Sequence, residues 1–383
     1  MSVTHPKGFE AAGVVSGLKT SGGKDVALVV NRGPSQAAAA VFTSNRAKAN
    51  PVIWSQQVMT DGIVSAIVLN SGGANCYTGA QGFQVAHSTA EHTAGLLGSS
   101  ASDVLICSTG IIGDQLDLGK VTSGVTAAND SLSADGGLDA ALAIMTTDTH
   151  PKQAVVERGG WSIGGMAKGA GMLAPGLATM LVVITTDADL SSAQLDAALR
   201  DATRVTFDRL DSDGCMSTND TVALLASAAS GISPDPREFA AALTEICSRL
   251  ATQLQEDAEG ASHDITIEVV HAATEDDAVE VGRAVARNNL FKAAVFGNDP
   301  NWGRVLAAVG TTQAAFDPYD IDVTINGVRV AHAGEPDQPR DLVDLSGRAV
   351  HLEIDLNAGP STATIWTNDL THDYVHENSA YSS

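Results

Sequence analysis

A threonine hydroxyl is a weak nucleophile near neutral pH unless a base stands beside it. The stretch KGAGMLAPGLATML, residues 168–181, carries Thr179 out of a segment with three glycines and a proline, straight into the apolar run MLVVI (180–184). In the simplest reading a loop ends where a buried strand begins, and many strands begin with threonine. A chemical reading is also open. Thr179 could attack the carbonyl of Ala178, move the acyl group from nitrogen to oxygen, and leave an ester for water to split. That shift is uphill from an ordinary amide, and strain at a turn such as Pro175-Gly176 would help it. The freed α-amino group, with a pKa of about 7.7–8.0, would then be the base the hydroxyl lacks.

Acyl chemistry of this kind needs donors for a tetrahedral oxyanion. Ser108-Thr109-Gly110, directly after DVLIC (103–107), offers a hydroxyl from Thr109 and a backbone N–H from Gly110. The same tripeptide is equally an ordinary strand-to-loop turn. A second candidate nucleophile is Ser162, because Gly160-Trp-Ser162-Ile-Gly164 fits the G-x-S-x-G elbow. The elbow requires a helix after the serine, and Gly164-Gly-Met-Ala-Lys-Gly169 is a poor one. An esterase at Ser162 therefore stands only as an alternative. The aspartates of Asp208-Arg-Leu-Asp-Ser-Asp213 could suggest a metal, but read better as a solvated loop. The histidines are dispersed and no HExxH, P-loop or EF-hand spacing occurs, so no metal is expected.

The elements that would position these residues are mixed. DVALVV (25–30), IVSAIVLN (63–70) and DVLICS (103–108) read as buried strands. GAQGFQVAHSTAEHTAGLLG (79–98) has helical spacing and a glycine stop. KQAVVE and WSIGGMA flank Arg158-Gly-Gly160 as a hairpin. Helices are signed at Ser191-Ser-Ala-Gln194, running to about Thr206, at Asp235-Pro-Arg-Glu238, running to about Gln255, and at Thr274-Glu-Asp-Asp277. From Phe291 the texture turns to shorter alternating segments, DIDVTING, VRVAHAG, AVHLEID and STATIWTND. The expected fold is mixed α/β, layered sheets flanked by helices, with a smaller, mostly antiparallel C-terminal subdomain over 291–383 and a main-domain part over 179–290.

Composition narrows the function. The chain has 383 residues, 44% of them hydrophobic and 17% charged, enough for a sizeable core in two domains or one large one. Aromatics are only 4% while glycine and alanine abound, which favours close backbone packing. A net charge of −23 without a basic cluster argues against nucleic acid and against anionic membranes. The N-terminal MSVTHPKGFEAAG lacks the pattern of a signal peptide, and the apolar runs are too short to span a bilayer. Cys76, Cys107, Cys215 and Cys247 show no CxxC spacing and read as buried free thiols in a reducing cytoplasm.

Several of these segments together resemble one family. KGAGMLAPGLATML, STGIIG (108–113), TTDT (146–149), STNDT (217–221), GNDPNWGR (297–304) and the terminal HENSAYSS look like ornithine acetyltransferase, the glutamate N-acetyltransferase of arginine biosynthesis. The resemblance implies self-cleavage between Ala178 and Thr179, giving an α chain of 1–178 and a β chain of 179–383 in an α2β2 heterotetramer. It implies Thr179 as the acetyl-carrying nucleophile and Thr109 with Gly110 as the oxyanion hole. Thr146, Lys168, Thr179, Glu259, Asn378 and Ser383 match its substrate contacts. Acetyl would pass from N2-acetylornithine through Thr179 to glutamate in ping-pong fashion, with no cofactor because the protein itself carries the acyl group. Use of acetyl-CoA as a further donor stays open. The alternatives are a self-processed aminopeptidase or amidohydrolase, a serine esterase at Ser162, and a non-enzymatic binding protein.

Overall fold

The computed structural model describes residues 2–174 and 180–380. The chain divides into two compact units, one of Met1–Ala170, Gly176–Asp208 and Met216–Leu254, the other of Gly171–Pro175, Arg209–Cys215 and Gln255–Ser383. The second begins upstream of Phe291, where the sequence changes texture.

The first unit runs β1 (Phe9–Val14), β2 (Val26–Asn31), β3 (Ala37–Phe42), α1 (Asn50–Val58), β4 (Ala66–Asn70), α2 (Gly79–Leu97), β5 (Val104–Ser108), α3 (Leu118–Asp130), α4 (Gly137–Ile144), β6 (Lys152–Arg158), β7 (Trp161–Lys168), β8 (Leu181–Thr186), α5 (Ser192–Val205), β9 (Thr221–Ala226) and α6 (Pro236–Glu256). Its strands form two sheets, ordered β1-β2-β4-β5 and β3-β9-β8-β7-β6. α2 and α3 cover one face of the first sheet, with Ala86, Ala90, Val125 and Ala128 packed among Leu28, Val68 and Ile106. The other face meets the second sheet in a shared core, where Val29, Ile67 and Leu105 join Met166, Val183, Ala223 and Ile144 of α4. α5 packs on β3. On β7, a methyl added at Gly165 would lie 3.0 Å from Leu250 of α6. With cover on both faces, β2, β4, β5, β8 and β9 are buried at every residue, which is why they read as unbroken apolar runs. The mixed α/β layering expected from the sequence is the observed one.

Small residues set the layer spacing. A methyl on Gly13 of β1 would sit 1.9 Å from the Asp139 carbonyl of α4, so only glycine admits that approach. The β6–β7 hairpin turns through Gly159 and Gly160, at φ 35° and 91°, in the left-handed region where glycine carries no Cβ penalty. α2 stops at Gly98, φ 67°, as its glycine predicts. The capping signals also hold. Ser191 and Gln194 form a reciprocal box, Asp235 accepts the Arg237 N–H at 2.8 Å, and Thr274 accepts the Asp277 N–H at 3.1 Å. β4 starts later than IVSAIVLN suggests, because Asp61 and Gly62 turn the chain there and leave Ile63 exposed.

The second unit contains β10 (Asp264–Ala272), α7 (Glu275–Ala286), α8 (Asn289–Phe296), α9 (Trp302–Val309), β11 (Asp322–Ile325), β12 (Val328–His332), β13 (Glu335–Pro336), β14 (Ala349–Asp355), β15 (Ser361–Asn368) and α10 (His372–Ala380). One sheet, ordered β13-β12-β11-β14-β10-β15, is antiparallel except between β10 and β14. Its buried face packs Ile267, Val323, Leu352 and Ile365 against Val281, Val285, Val305 and Val309 of α7 and α9. The alternation of AVHLEID is that one-sided burial.

Two readings are corrected. Asp208–Asp213 is no solvated loop, since Arg209, Asp211 and Ser212 are buried. Its charges are consumed by fold contacts, Asp211 with Arg287 at 2.7 Å and Arg209 with Glu275 at 2.5 Å. Among the described residues no group of three His, Cys, Asp or Glu side chains could hold a metal. Cys76, Cys107 and Cys247 are buried free thiols as expected, but Cys215 is exposed.

Candidate active site

Thr109 leaves the end of β5 almost fully buried, with its N–H donated to Asn70 O at 2.9 Å and its carbonyl accepting from Gly73 N at 3.0 Å. Gly110 follows at φ 130°, and a methyl there would stand 2.7 Å from Gly73 N. Left-handed backbone and contact with a neighbouring chain segment both require glycine at this point. Two asparagines pin the loop. Asn70 accepts from Ser108 Oγ at 2.5 Å and donates to Gly73 O at 3.0 Å. Asn219 donates to Ser108 O at 2.8 Å and to Ala74 O at 2.6 Å.

Lys168 ends β7 with 1% of its surface exposed, and its Nζ donates to Thr109 Oγ1 at 3.3 Å. An ammonium has no acceptor to offer, so the Thr109 hydroxyl must aim its own hydrogen elsewhere. Thr109 is thereby presented as a donor. The carboxylate facing this lysine is Asp148, which accepts from Lys152 Nζ and Gly169 N, each at 2.7 Å, and from Thr146 N at 2.9 Å. Burial alone would raise its pKa, but the charges of Lys168 and Lys152 and the hydrogen bonds from Gly169 N and Lys152 Nζ prevail and lower it to about 2. Thr146, Lys168 and Thr109 thus hang on one buried aspartate that the sequence reading passed over. Its position inside TTDT was the available signal.

In the second unit, Glu259 follows α6, and its carboxylate would lie 2.5 Å from a methyl added at Gly171. Asn378, on α10, donates to Glu259 Oε2 at 3.0 Å. A methyl on Gly260 would strike Tyr374 N at 2.2 Å, so a glycine lets α10 seat there. These two expected substrate contacts are brought together. The surroundings are acidic: burial first, then Asp213, Cys215 and Glu259, push the Tyr374 phenol upward. Pro175 to Thr179 and Ser383 lie outside the described residues, and with them the expected nucleophile, the Ala178–Thr179 bond and one substrate contact.

Ser162 stands inside β7, with no helix after it, and donates from Oγ to Asp187 at 3.2 Å. It borders a cleft of about 430 Å³ shared with His5, Glu157 and Trp161. His5 spends its Nε2 on Glu157 at 2.8 Å, and the Ser162 hydroxyl is given to Asp187. That is not an elbow nucleophile.

A buried lysine–aspartate–threonine chain beside a glycine-shaped loop defines an enzyme frame suited to stabilising negative charge. The ArgJ family profile matches residues 10–383. The arginine biosynthesis bifunctional protein ArgJ of Streptomyces coelicolor is 63% identical over 383 residues, covering all of both chains. That of Thermobifida fusca is 61% identical, again over all of both. A solved ornithine acetyltransferase complexed with ornithine, from Mycobacterium tuberculosis, is 49% identical over 47% of this chain and 96% of that one, with a TM-score of 0.45. The chain belongs to the ArgJ family of arginine-biosynthesis enzymes. No helix among the described residues is long and apolar enough to cross a membrane.

Proposed function

We propose that this chain is a glutamate N-acetyltransferase that cleaves itself between Ala178 and Thr179 and then carries acetyl on Thr179. The Thr179 hydroxyl attacks the acetyl carbonyl of N2-acetylornithine while its own α-amino group takes the proton. Thr109 Oγ–H and Gly110 N–H stabilise the oxyanion, ornithine leaves, and glutamate takes the acetyl group from the ester. Lys168 meets a substrate carboxylate and Glu259 a substrate ammonium, with Thr146, Asn378 and Ser383 as further substrate contacts. The protein is the acyl carrier, so the cycle needs no cofactor. The observation that carries this reading is the Lys168–Thr109 contact of 3.3 Å, which turns a buried hydroxyl into a committed donor.

The relatives' shared description as bifunctional supports acetyl-CoA as a second donor to the same threonine. An α2β2 assembly in the cytoplasm completes the proposal. Initial rates at crossed donor and acceptor concentrations test it. Parallel double-reciprocal lines are expected, and lines that intersect would overturn the acetyl-enzyme. Free acetate forming faster than acetylglutamate would instead favour an amidohydrolase.

A further inference from the structure

The loop of Thr109 and Gly110 borders a patch that the transfer chemistry above does not use. Residues 109–113 run beside 73–76 in a short ladder. Gly73 N donates to Thr109 O, Ala74 N to Ile111 O and Gly113 N to Cys76 O, each at 3.0 Å. Next to the ladder Tyr77 is 77% exposed, and Ile112 on the opposite segment is 41% exposed. Tyr77 has φ 56° and Asn75 φ 51°, in the left-handed region that residues other than glycine adopt at a cost. The segment is held there from several sides. Thr78 Oγ1 donates to Asn75 Oδ1 at 2.6 Å, Asn50 Nδ2 to Thr78 Oγ1 at 2.9 Å and Gln115 Nε2 to Thr78 O at 2.7 Å. A strained backbone thus keeps an aromatic ring out of the core, a conformation that persists only where its surroundings enforce it.

Two cations adjoin this segment without a carboxylate partner. Ala47 O meets Cys76 Sγ at 3.8 Å, and Asn50 N donates to Asn75 O at 3.1 Å, so residues 47–50 lie along it. Arg46 and Lys48 flank Ala47. Arg46 is exposed and makes no hydrogen bond or ion pair among the described residues. Lys48 Nζ reaches a neutral amide, Gln56 Oε1, at 3.4 Å. Elsewhere arginines are paired with acids, Arg32 with Glu10 at 3.0 Å, Arg200 with Asp196 at 2.9 Å and Arg348 with Asp264 at 2.8 Å. In a chain of net charge −23, an anion is repelled at long range and needs such uncommitted cations at short range. Asp114, exposed, is the one acid among residues 109–115 that opposes them.

An exposed aromatic ring stacks a planar base, and uncommitted cations hold phosphates. Four residues separate Gly73, which is bonded to Thr109, from Tyr77, so their Cα atoms are at most about 14 Å apart. The pantetheine arm of coenzyme A spans such a gap. We infer that Arg46, Lys48 and Tyr77 bind the nucleotide end of acetyl-CoA, its phosphates against the two cations and its adenine on the exposed ring, with the thioester carbonyl at Thr109 and Gly110. Acetylornithine has neither phosphate nor base and makes no use of the patch. The inference rests on acetyl-CoA as a second donor and gives that donor a site.

The test measures kcat/KM for glutamate acetylation with each donor, in the full-length protein as purified. Wild type must first release coenzyme A in step with acetylglutamate. If it draws acetyl from acetylornithine alone, the second-donor reading has failed and the site with it. Given both activities, Tyr77→Ala and the pair Arg46→Ala with Lys48→Ala are each expected to lower kcat/KM for acetyl-CoA about tenfold or more. The value for acetylornithine should stay within about twofold of wild type, because no transition-state contact to that donor is removed. Tyr77→Phe keeps the ring and should behave as wild type. S-acetylpantetheine carries the thioester without phosphates or adenine, so it should be indifferent to all these changes. Salt should weaken acetyl-CoA and not the shorter thioester. Equal losses with acetyl-CoA and acetylornithine, equal losses with acetylpantetheine, or no loss at all would overturn the proposal. A change of oligomeric state without donor selectivity would also overturn it, and would place the patch in assembly.

Discussion

Asp148 and Asp220 are both buried in the first unit, and both feel the charge of Lys168, yet their acidities move in opposite directions. Asp148 is met by two lysines and two backbone N–H groups, so its charge is kept and its pKa falls to about 2. Asp220 receives the Met180 N–H and the Ser217 and Thr43 hydroxyls but no lysine hydrogen bond, and burial drives it upward. Partners, not depth, decide whether a buried carboxyl is an anchor or a proton reservoir. Asp148 is kept charged beside Lys168, and Asp220 is pushed toward its neutral form beside Met180.

The contrast can be broken by removing one partner at a time. The largest effect is expected from Lys152→Met, which strips a fully buried ammonium from a fully buried carboxylate. Stability should fall by about 3–5 kcal/mol in denaturant titrations, because Asp148 loses its hydrogen-bonded buried partner and keeps only the charge of Lys168 and two backbone N–H groups. Next comes Thr109→Ala, which removes one oxyanion donor and should lower kcat by about 10²–10³-fold with little change in melting temperature. Unchanged kcat would detach the Lys168–Thr109 contact from catalysis.

The pH dependence sharpens the contrast further. Asp148 is held below its unfolded value of about 3.9, so it contributes roughly 2 kcal/mol above that pH, lost as the pH falls toward 2. Asp220 has the opposite sign: its contribution is present below the unfolded value and lost as the pH rises through its raised folded pKa. Asp148→Asn should therefore flatten the acid limb of the stability profile, while Asp220→Asn should not weaken the fold at neutral pH. Equal behaviour of the two variants would contradict the distinction. The smallest effect belongs to Ser162→Ala, which loses one hydrogen bond to Asp187, about 1 kcal/mol, and should keep full transferase activity.

Local signals in the sequence were legible wherever they complete themselves within a few residues. The Gly98 stop, the Gly159-Gly160 hairpin and the caps at Ser191, Asp235 and Thr274 all depend on near neighbours. β3 did not announce itself, because AAAAVF carries the helical preference of alanine. What makes it a strand is pairing with β9 and the narrow space that Ala38 and Ala40 fill between sheets, a tertiary override of propensity. The candidate site divides in the same way. Thr109, Lys168, Glu259 and Asn378 were visible as motif positions. Asp148, Asn70, Asn219 and Asp220 act through partners distant in sequence, such as Lys168 for Asp148 and Met180 for Asp220. Asp148 lies inside TTDT, Asn219 and Asp220 inside STNDT, and Asn70 ends IVSAIVLN, and none of these local patterns names its partner.

The central claim is that Thr179 becomes an N-terminus and works as one. Intact mass and N-terminal sequencing of freshly purified protein, paired with an acetyl-transfer assay on the same sample, test it most directly. The expected result is two chains, one beginning Thr-Met-Leu-Val, in a preparation that moves acetyl from acetylornithine to glutamate. A single unbroken chain of 383 residues with full transferase activity would contradict it.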